Sequence, residues 1–182
     1  MINLLEKQLR GRGRFGKYFR ISKTRGVKIV GRGFKSENNV LKSNQILATA
    51  QEATFLKIAE QFKITPKVYE VIIAQYKGRF YPAILMEHLI GVPAAQFDDS
   101  CLFKVNSQGN ISERGVFGAT YVKKTLAKAE IIHSDMHYNN MIVSSQNTLK
   151  AVDFSPDWVQ YTGDQTYFDM ICEMLLLKLR NV

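Results

Sequence analysis

The feature that most constrains this chain is the run from Ile131 to Phe154, which reads IIHSDMHYNNMIVSSQNTLKAVDF. Two short apolar segments flank a Ser-Ser-Gln-Asn turn, which is a pattern typical of a β-hairpin. A hairpin would bring Asn140, which precedes its first strand, next to Asp153, which follows its second. Asp135 lies five residues before the asparagine. The sequence therefore predicts three oxygen-bearing side chains gathered at one end of a short hairpin.

These residue types suit the transfer of a phosphoryl group. Asp135 is a carboxylate that could orient an attacking hydroxyl group and accept its proton. Asn140 and Asp153 offer the hard oxygen ligands that Mg²⁺ prefers. An isolated HxD would more often be a polar loop before an ordinary hairpin, but the full HxDxHxxN pattern and the Asp-Phe thirteen residues after the asparagine favour a functional site.

A second signal lies near the start of the chain, where residues 11–18 read GRGRFGKY. Glycine lets a backbone approach phosphate oxygens without a Cβ in the way, so Gly11, Gly13 and Gly16 are candidates for covering a phosphate. A dinucleotide-binding fingerprint would follow a hydrophobic strand and open a helix. Here LLEKQLR precedes the glycines and the alternating KYFRIS follows them. The pattern therefore favours a loop that leads into a strand.

A lysine and a glutamate are expected to pair downstream of this loop. Lys28 lies in the β-branched segment 26–30, and residues 44–62 are predicted to form an amphipathic helix. A strand lysine alone would more often face solvent, so its functional interpretation needs a carboxylate on that helix. Glu52 is the expected partner, in preference to Glu60 about two turns later. The helix prediction rests on apolar side chains at helical spacing: Leu47, Phe55, Ile58 and Phe62.

The middle of the chain predicts a second hairpin. Residues 68–74 and 80–86 are apolar segments on either side of Tyr-Lys-Gly-Arg, a plausible turn. The second segment runs on into Met86-Glu87-His88-Leu89. Residues 92–113 are the most loop-like stretch, and a helix is expected from about residue 116 to residue 130.

Taken in order, these segments resemble the protein-kinase-like superfamily from Gly11 to about Lys178. The order is glycine-rich loop, strand lysine, helix glutamate, hinge, catalytic loop and metal-binding turn. The resemblance implies an α+β fold with two lobes, a small antiparallel-sheet N-lobe and a truncated helical C-lobe. It implies a single minimal kinase domain over residues 1–182, with an N-lobe at about 1–87, a hinge at 88–91 and a reduced C-lobe at 92–182.

The resemblance also implies the cofactors ATP and Mg²⁺ and a role for each candidate residue. Asp135 would be the catalytic base, and Asn140 and Asp153 would bind the metal. Lys28, paired with Glu52, would hold the α- and β-phosphates. Met86 would be the gatekeeper beside the adenine. The expected nucleotide contacts are Gly11, Gly13, Phe15, Gly16, Lys28, Met86, Glu87 and Leu89.

The sequence departs from the protein-kinase pattern in ways that leave the acceptor open. Ser134 replaces the usual HRD arginine, so activation by loop phosphorylation is not expected. His137 stands where protein kinases usually carry lysine, and HxDxHxxN is more like aminoglycoside, sugar and lipopolysaccharide kinases. Ser155 replaces the glycine of DFG, and no APE follows. A small-molecule acceptor therefore remains an alternative to a protein acceptor.

The final segment is short. After Asp153 only 29 residues remain, and they predict one amphipathic helix. Asp169 in that helix resembles the carboxylate that ties down the catalytic loop in kinases, or is simply an exposed helix residue. A chain this short resembles the small effector kinases that enteric and plant pathogens inject into host cells, including the family that phosphorylates the host heat-shock chaperone ATPase.

That resemblance implies the expected partners and location. The substrate would be a host protein, a chaperone among the candidates, and the location would be the host cell cytosol, or otherwise the cytoplasm. A kinase without the usual docking helices could also require an activating host protein. No apolar run approaches transmembrane length, and the start lacks a signal-peptide core, so no membrane partner is expected.

The charge distribution supports a different class of function. Eleven lysines and arginines and no acidic residue lie between Lys7 and Lys35, in a chain of formal net charge +9. Basic residues interleaved with Phe15, Tyr18 and Phe19 could bind nucleic acid. That hypothesis ranks well below the kinase because it does not explain Asp135, Asn140 and Asp153. A pseudokinase that binds a partner without phosphoryl transfer is a further alternative.

Overall fold

The structure is a computed structural model that describes residues 1–13, 16–30, 43–96, 103–108, 110–114 and 118–180. It is a mixed α+β structure, as predicted. The chain divides into two compact units. The first comprises Met1–Thr54, Lys67–His88 and Asp164–Val182, and the second comprises Phe55–Pro66 and Leu89–Gly163.

A six-stranded sheet is the centre of the first unit. Its strands lie in the order β1-β5-β6-β4-β3-β2. All neighbouring strands are antiparallel except β1, which pairs with β5 in parallel. One face is filled by a core that includes Phe19, Val27, Ile29 and Tyr76. The strands are β1 (Ile2–Leu4), β2 (Leu9–Gly13), β3 (Gly16–Arg20), β4 (Arg25–Val30), β5 (Val68–Tyr76) and β6 (Arg79–Glu87).

The predicted hairpin of β5 and β6 is confirmed, and its turn explains its register. Lys77 and Gly78 both have positive φ, 51° and 75°. Two such central residues are what a tight type I′ turn requires between right-twisted strands. The turn places Tyr76 opposite Arg79 and fixes the pairing back to Glu70 with Leu85, beyond which an irregularity shifts the register so that Val68 pairs with Met86.

The first helix is α1 (Ser43–Glu60), close to the predicted range. The prediction that this helix is amphipathic is wrong, because all five side chains from Glu52 to Leu56 are buried. Of the four apolar positions used to predict it, Phe55 and Ile58 are buried, whereas Leu47 and Phe62 are exposed. A helix buried on several sides loses the polar face that periodicity relies on.

The last helix, α3 (Gln165–Arg180), belongs to the first unit and contacts β5. Asp164 caps its start, because its Oδ1 accepts the backbone N–H of Thr166 at 2.9 Å. Asp169 is exposed and accepts a hydrogen bond from Gln165 of the same helix at 2.8 Å. Asp169 is therefore the exposed helix residue of the two alternatives that the sequence left open.

The second unit contains short strands, the helix α2 and the end of α1 from Phe55 onward. Strand β11 pairs with β12 and with β7, and β10 pairs with β13. The remaining pair is β8 with β9. The elements are β7 (Gly91–Pro93), β8 (Phe103–Val105), β9 (Ile111–Arg114), α2 (Gly118–Lys128), β10 (Ile131–His133), β11 (Met141–Ser144), β12 (Leu149–Ala151) and β13 (Val159–Tyr161).

One expectation differs from this arrangement. The stretch 92–113 was expected to be loop, but it contains β8 and parts of β7 and β9.

Among the described residues, no helix combines the length and the apolar character that crossing a membrane requires.

Candidate active site

The loop after β10 holds Asp135 through a buried asparagine. Asn140 lies in a 3₁₀ turn, Tyr138–Asn140, and is 8% exposed. Its Nδ2 donates to the Asp135 backbone oxygen at 2.9 Å and to Asp135 Oδ2 at 3.3 Å. Because the amide nitrogen is used this way, Oδ1 is the atom of Asn140 that could bind a metal ion.

The hairpin of β11 and β12 brings Asp153 next to this loop, as predicted. Met141 pairs with Ala151, and the Val152 N–H donates to the Asn140 backbone oxygen at 2.8 Å. Asp153 itself has φ of 66°, in the left-handed region that non-glycine residues seldom adopt. Backbone conformations of this kind persist where the surroundings impose them, and they cluster at functional sites.

His133 supports Asp153 from the end of β10. Its Nε2 lies 3.1 Å from the Asp153 backbone oxygen and must carry the proton of that hydrogen bond. The ring is 6% exposed and packs edge-on against Phe154, with the two ring centroids 5.2 Å apart. Burial lowers the pKa of His133, opposed by the hydrogen bond to Asp153 and by the charges of Asp153 and Asp135. A neutral His133 therefore fixes the backbone at the candidate metal ligand.

His137 faces the candidate base. Its Nδ1 accepts the Asn139 N–H at 3.2 Å, and its Nε2 lies 3.5 Å from Asp135 Oδ1. Nε2 is therefore the ring nitrogen that lies beside the carboxylate. Neither His133 nor His137 was among the predicted site residues, although the HxDxH spacing carried the signal for both.

The predicted pairing of Lys28 with Glu52 is confirmed in the first unit. Lys28 lies in β4, opposite Tyr18 on one side and Ile84 on the other. Its Nζ is 2.5 Å from Glu52 Oε1. The Glu52 side chain is fully buried and that of Lys28 is 13% exposed. A carboxylate in such a position requires a cation, so the pair fixes the direction of the lysine side chain.

The glycines of the β2–β3 hairpin differ in how much room the structure leaves for a side chain. A Cβ on Gly16 would lie 2.5 Å from the Ile29 backbone oxygen, so the sheet itself excludes a side chain there. A Cβ on Gly11 would meet only Tyr18 Cβ at 3.8 Å, an ordinary contact. Gly13 pairs with Gly16 at the hairpin end. Phe15 lies outside the described residues.

The end of β6 carries the residues expected to contact adenine. Met86 is buried. The Glu87 N–H donates to the Lys67 oxygen at 2.8 Å, and the His88 N–H donates to the Thr24 oxygen at 2.9 Å. The backbone N–H of Glu87 is therefore already used in a hydrogen bond. If Glu87 contacts adenine through its backbone, as expected, the contact has to be made by its carbonyl oxygen. Leu89 begins the second segment of the second unit.

A side-chain hydrogen bond holds the same segment to β3. The Tyr18 hydroxyl lies 2.9 Å from His88 Nδ1, and the two rings are stacked with centroids 5.9 Å apart. A Cβ on Gly26 would fall on the Tyr18 ring, so glycine there is what admits the tyrosine. Burial and the charge of Glu87 raise the pKa of Tyr18, so its hydroxyl keeps its proton. No sequence pattern predicts this contact.

The structure thus gathers the candidates into two groups. Asp135, Asn140 and Asp153 come together in the second unit, where they offer a carboxylate and two oxygen ligands. The first unit holds the described candidates for nucleotide binding at β2, β3, β4, α1 and β6, whereas Leu89 belongs to the second unit. The donor set of Asn140 and Asp153 fits Mg²⁺, which takes few protein ligands and keeps several from water and phosphate.

No protein-family model and no curated protein matches the sequence. Among solved structures, the crystal structure of monomeric WbdD aligns with 90% of this chain at 14% sequence identity and a TM-score of 0.48. The aligned region covers 36% of that protein's chain, so this chain spans well under half of its length.

Proposed function

We propose that this protein is an ATP- and Mg²⁺-dependent phosphotransferase with a two-lobed, protein-kinase-like fold. The observation that carries the proposal is the loop of the second unit. There the Asn140 amide holds Asp135 at 2.9 Å, and the adjacent Asp153 has a left-handed backbone held by His133. A base beside two hard oxygen ligands is the set that phosphoryl transfer requires.

Each residue has one role in the proposed reaction. Asp135 orients the acceptor hydroxyl and accepts its proton, and Asn140 and Asp153 would hold Mg²⁺. Lys28 contacts the α- and β-phosphates in the direction that Glu52 gives it. When bound, Mg²⁺ neutralises the charge that develops on the phosphates. Gly11, Gly13 and Gly16 cover the phosphates, and Glu87 contacts the adenine.

The acceptor that we propose is a serine or threonine of a protein. The resemblance of this short chain to effector kinases supports a host protein, with a heat-shock chaperone among the candidates. The same resemblance supports a second host protein as an activator, and virulence as the biological role. These proposals rest on the resemblance alone.

A small-molecule kinase is the second candidate function, because one observation favours it. His137 directs Nε2 at Asp135 from a position where protein kinases usually carry lysine. The HxDxH pattern is more like the aminoglycoside and sugar kinases, whose acceptors are small hydroxyl compounds. The two candidates share the cofactors and differ only in the acceptor.

The test is transfer of label from γ-labelled ATP with Mg²⁺ in eukaryotic and bacterial lysates, with aminoglycosides and sugars assayed in parallel. Wild type is compared with Asp153→Ala and with Asp157→Ala, which removes an exposed carboxylate four residues away. We expect one labelled protein that disappears with Asp153→Ala and persists with Asp157→Ala. Label on a small molecule alone would establish the second candidate, and no label despite ATP binding would contradict both.

A further inference from the structure

Helix α3 carries four large apolar side chains that the first unit does not bury. Tyr167, Met170, Met174 and Leu177 are exposed by 38%, 53%, 52% and 54%. Single exposed apolar residues are ordinary, but a contiguous row of them marks a surface for another molecule. These four residues are called the α3 seam below.

The α3 seam is separate from the face that α3 buries. At about 100° per residue, its centre lies roughly 150° around the helix from the centre of the buried face. A partner on the seam would therefore approach from the side opposite the core contacts of α3. The buried side chains are Phe168, Ile171, Cys172, Leu175, Leu176 and Leu179.

The spacing of the α3 seam is that of a coiled-coil interface. Its residues follow one another at intervals of three, four and three, which are the a and d positions of a heptad. A second helix with the same spacing packs against such a row, whereas an irregular patch suits an irregular surface. The spacing therefore indicates a helix as the occupant.

The charges beside the α3 seam indicate which helix. Glu173 occupies the flanking g position and Lys178 the flanking e position, both exposed. In a parallel coiled coil, a residue at a g position faces the residue at the e position five residues later on the other helix. Glu173 and Lys178 are five positions apart, so two copies of this helix present opposite charges to each other at both flanks. Within the part of the chain that the structure describes, neither residue forms an ion pair.

We propose that α3 pairs in parallel with α3 of a second copy of this chain, through the α3 seam and two Glu173–Lys178 pairs. The pairing is isologous, as expected of a two-fold dimer. The seam is only about 15 Å long, so it buries less than the roughly 1,200 Å² typical of stable complexes. The expected dimer is therefore weak, with half-association at about 10–100 μM.

The test is sedimentation equilibrium of the full chain from about 1 to 300 μM, a range that brackets the expected affinity. We expect wild type to convert to dimer over this range and Met174→Glu to remain monomeric. Glu173→Lys should weaken association by at least about tenfold, since it replaces two attractions by two repulsions. The double variant Glu173→Lys/Lys178→Glu should restore it.

The matched control is Asp169→Lys, which makes the same change of charge on the same helix but away from the seam. It should dimerise like wild type. All substitutions are at exposed positions, and unchanged thermal unfolding would establish that each variant is folded. A wild type that stays monomeric, a dimer indifferent to Met174→Glu, or a double variant that fails to recover would each overturn the proposal.

Discussion

At the scale of single residues, the candidate site contains buried charged and polar side chains. Such a side chain lowers the stability of the folded protein when its partner is removed. Glu52 is fully buried with its charge 2.5 Å from Lys28. Removal of the lysine would take a charge-assisted hydrogen bond from a buried carboxylate, and such bonds are stronger than neutral ones.

Lys28→Ala is therefore expected to destabilise the protein. Loss of the lysine should lower the free energy of unfolding by about 1.5–3 kcal/mol, because the buried Glu52 carboxylate loses its 2.5 Å contact with Nζ. Urea unfolding followed by circular dichroism measures the change. Lys57→Ala, at a half-buried lysine of α1, is the matched control and should change stability by less than about 1 kcal/mol. Equal stability of Lys28→Ala and wild type would contradict the pairing.

The lowered pKa of His133 predicts how the free energy of unfolding depends on pH. Burial lowers its pKa below the ordinary 6.5, so the unfolded chain binds a proton at a pH where the folded protein does not. Stability from this group is complete above about pH 6.5 and falls as the pH drops toward the folded-state pKa. His88 has a pKa lowered in the same direction by burial and by Arg20 and Arg10, so it adds to the slope.

Unfolding free energies at intervals between pH 7.5 and about 5 test this expectation. Wild type should lose stability as the pH falls. His133→Gln should be less stable at pH 7.5, because the contact with the Asp153 oxygen is altered, but its pH slope should be shallower. A slope that stays as steep in the variant would assign the proton uptake to other groups.

At the scale of elements, two glycines of the β2–β3 hairpin differ in whether the structure leaves room for a side chain. Gly16→Ala should cost roughly 1–3 kcal/mol of stability, because its Cβ would meet the Ile29 backbone oxygen. Gly11→Ala has room for its methyl group and should change stability by less than about 0.5 kcal/mol. If Gly11 covers the phosphates, the same variant should weaken ATP binding several-fold, measured by calorimetry. Unchanged affinity would remove Gly11 from the nucleotide site.

Elements with strong local signals were predictable from the sequence, whereas those made by distant pairing were not. The β11–β12 hairpin and α2 carried a turn and a clear periodicity. Strands β1, β10 and β13 have three residues each, too few for any period to be read. Their partners are remote in sequence, as when Ile2 pairs with Ala74. The exposed seam of α3 was also missed, because apolar spacing alone does not tell a buried face from an exposed one.

The same limit applies to the candidate site. Spacing identified Asp135, Asn140 and Asp153, because a hairpin of that length leaves few ways to arrange them. It did not identify Tyr18 with His88, which are 70 residues apart and meet only when β3 and the end of β6 share a sheet. Nor did it reveal that Gly26 makes room for the tyrosine. Contacts of this kind depend on register, which the sequence does not display.

At the scale of the whole molecule, the excess of positive charge is partly used within the first unit. Lys28 pairs with Glu52, Arg12 with Glu6, and the Arg25 guanidinium lies 5.3 Å from the Tyr69 ring centroid. Phe19 is fully buried, so it cannot stack on a nucleic-acid base. The role of Phe19 in the nucleic-acid hypothesis is therefore wrong.

The measurement that tests the central claim most directly is the rate of phosphoryl transfer by Asp135→Asn. The asparagine keeps the shape of the side chain and removes the base, so Mg²⁺-ATP should bind within about twofold of wild type while transfer falls by about 10²–10⁴-fold. Rates are measured under single turnover with the acceptor that the labelling experiment identifies, and ATP affinity by calorimetry. Transfer within about threefold of wild type would contradict the assignment of this loop as the catalytic centre.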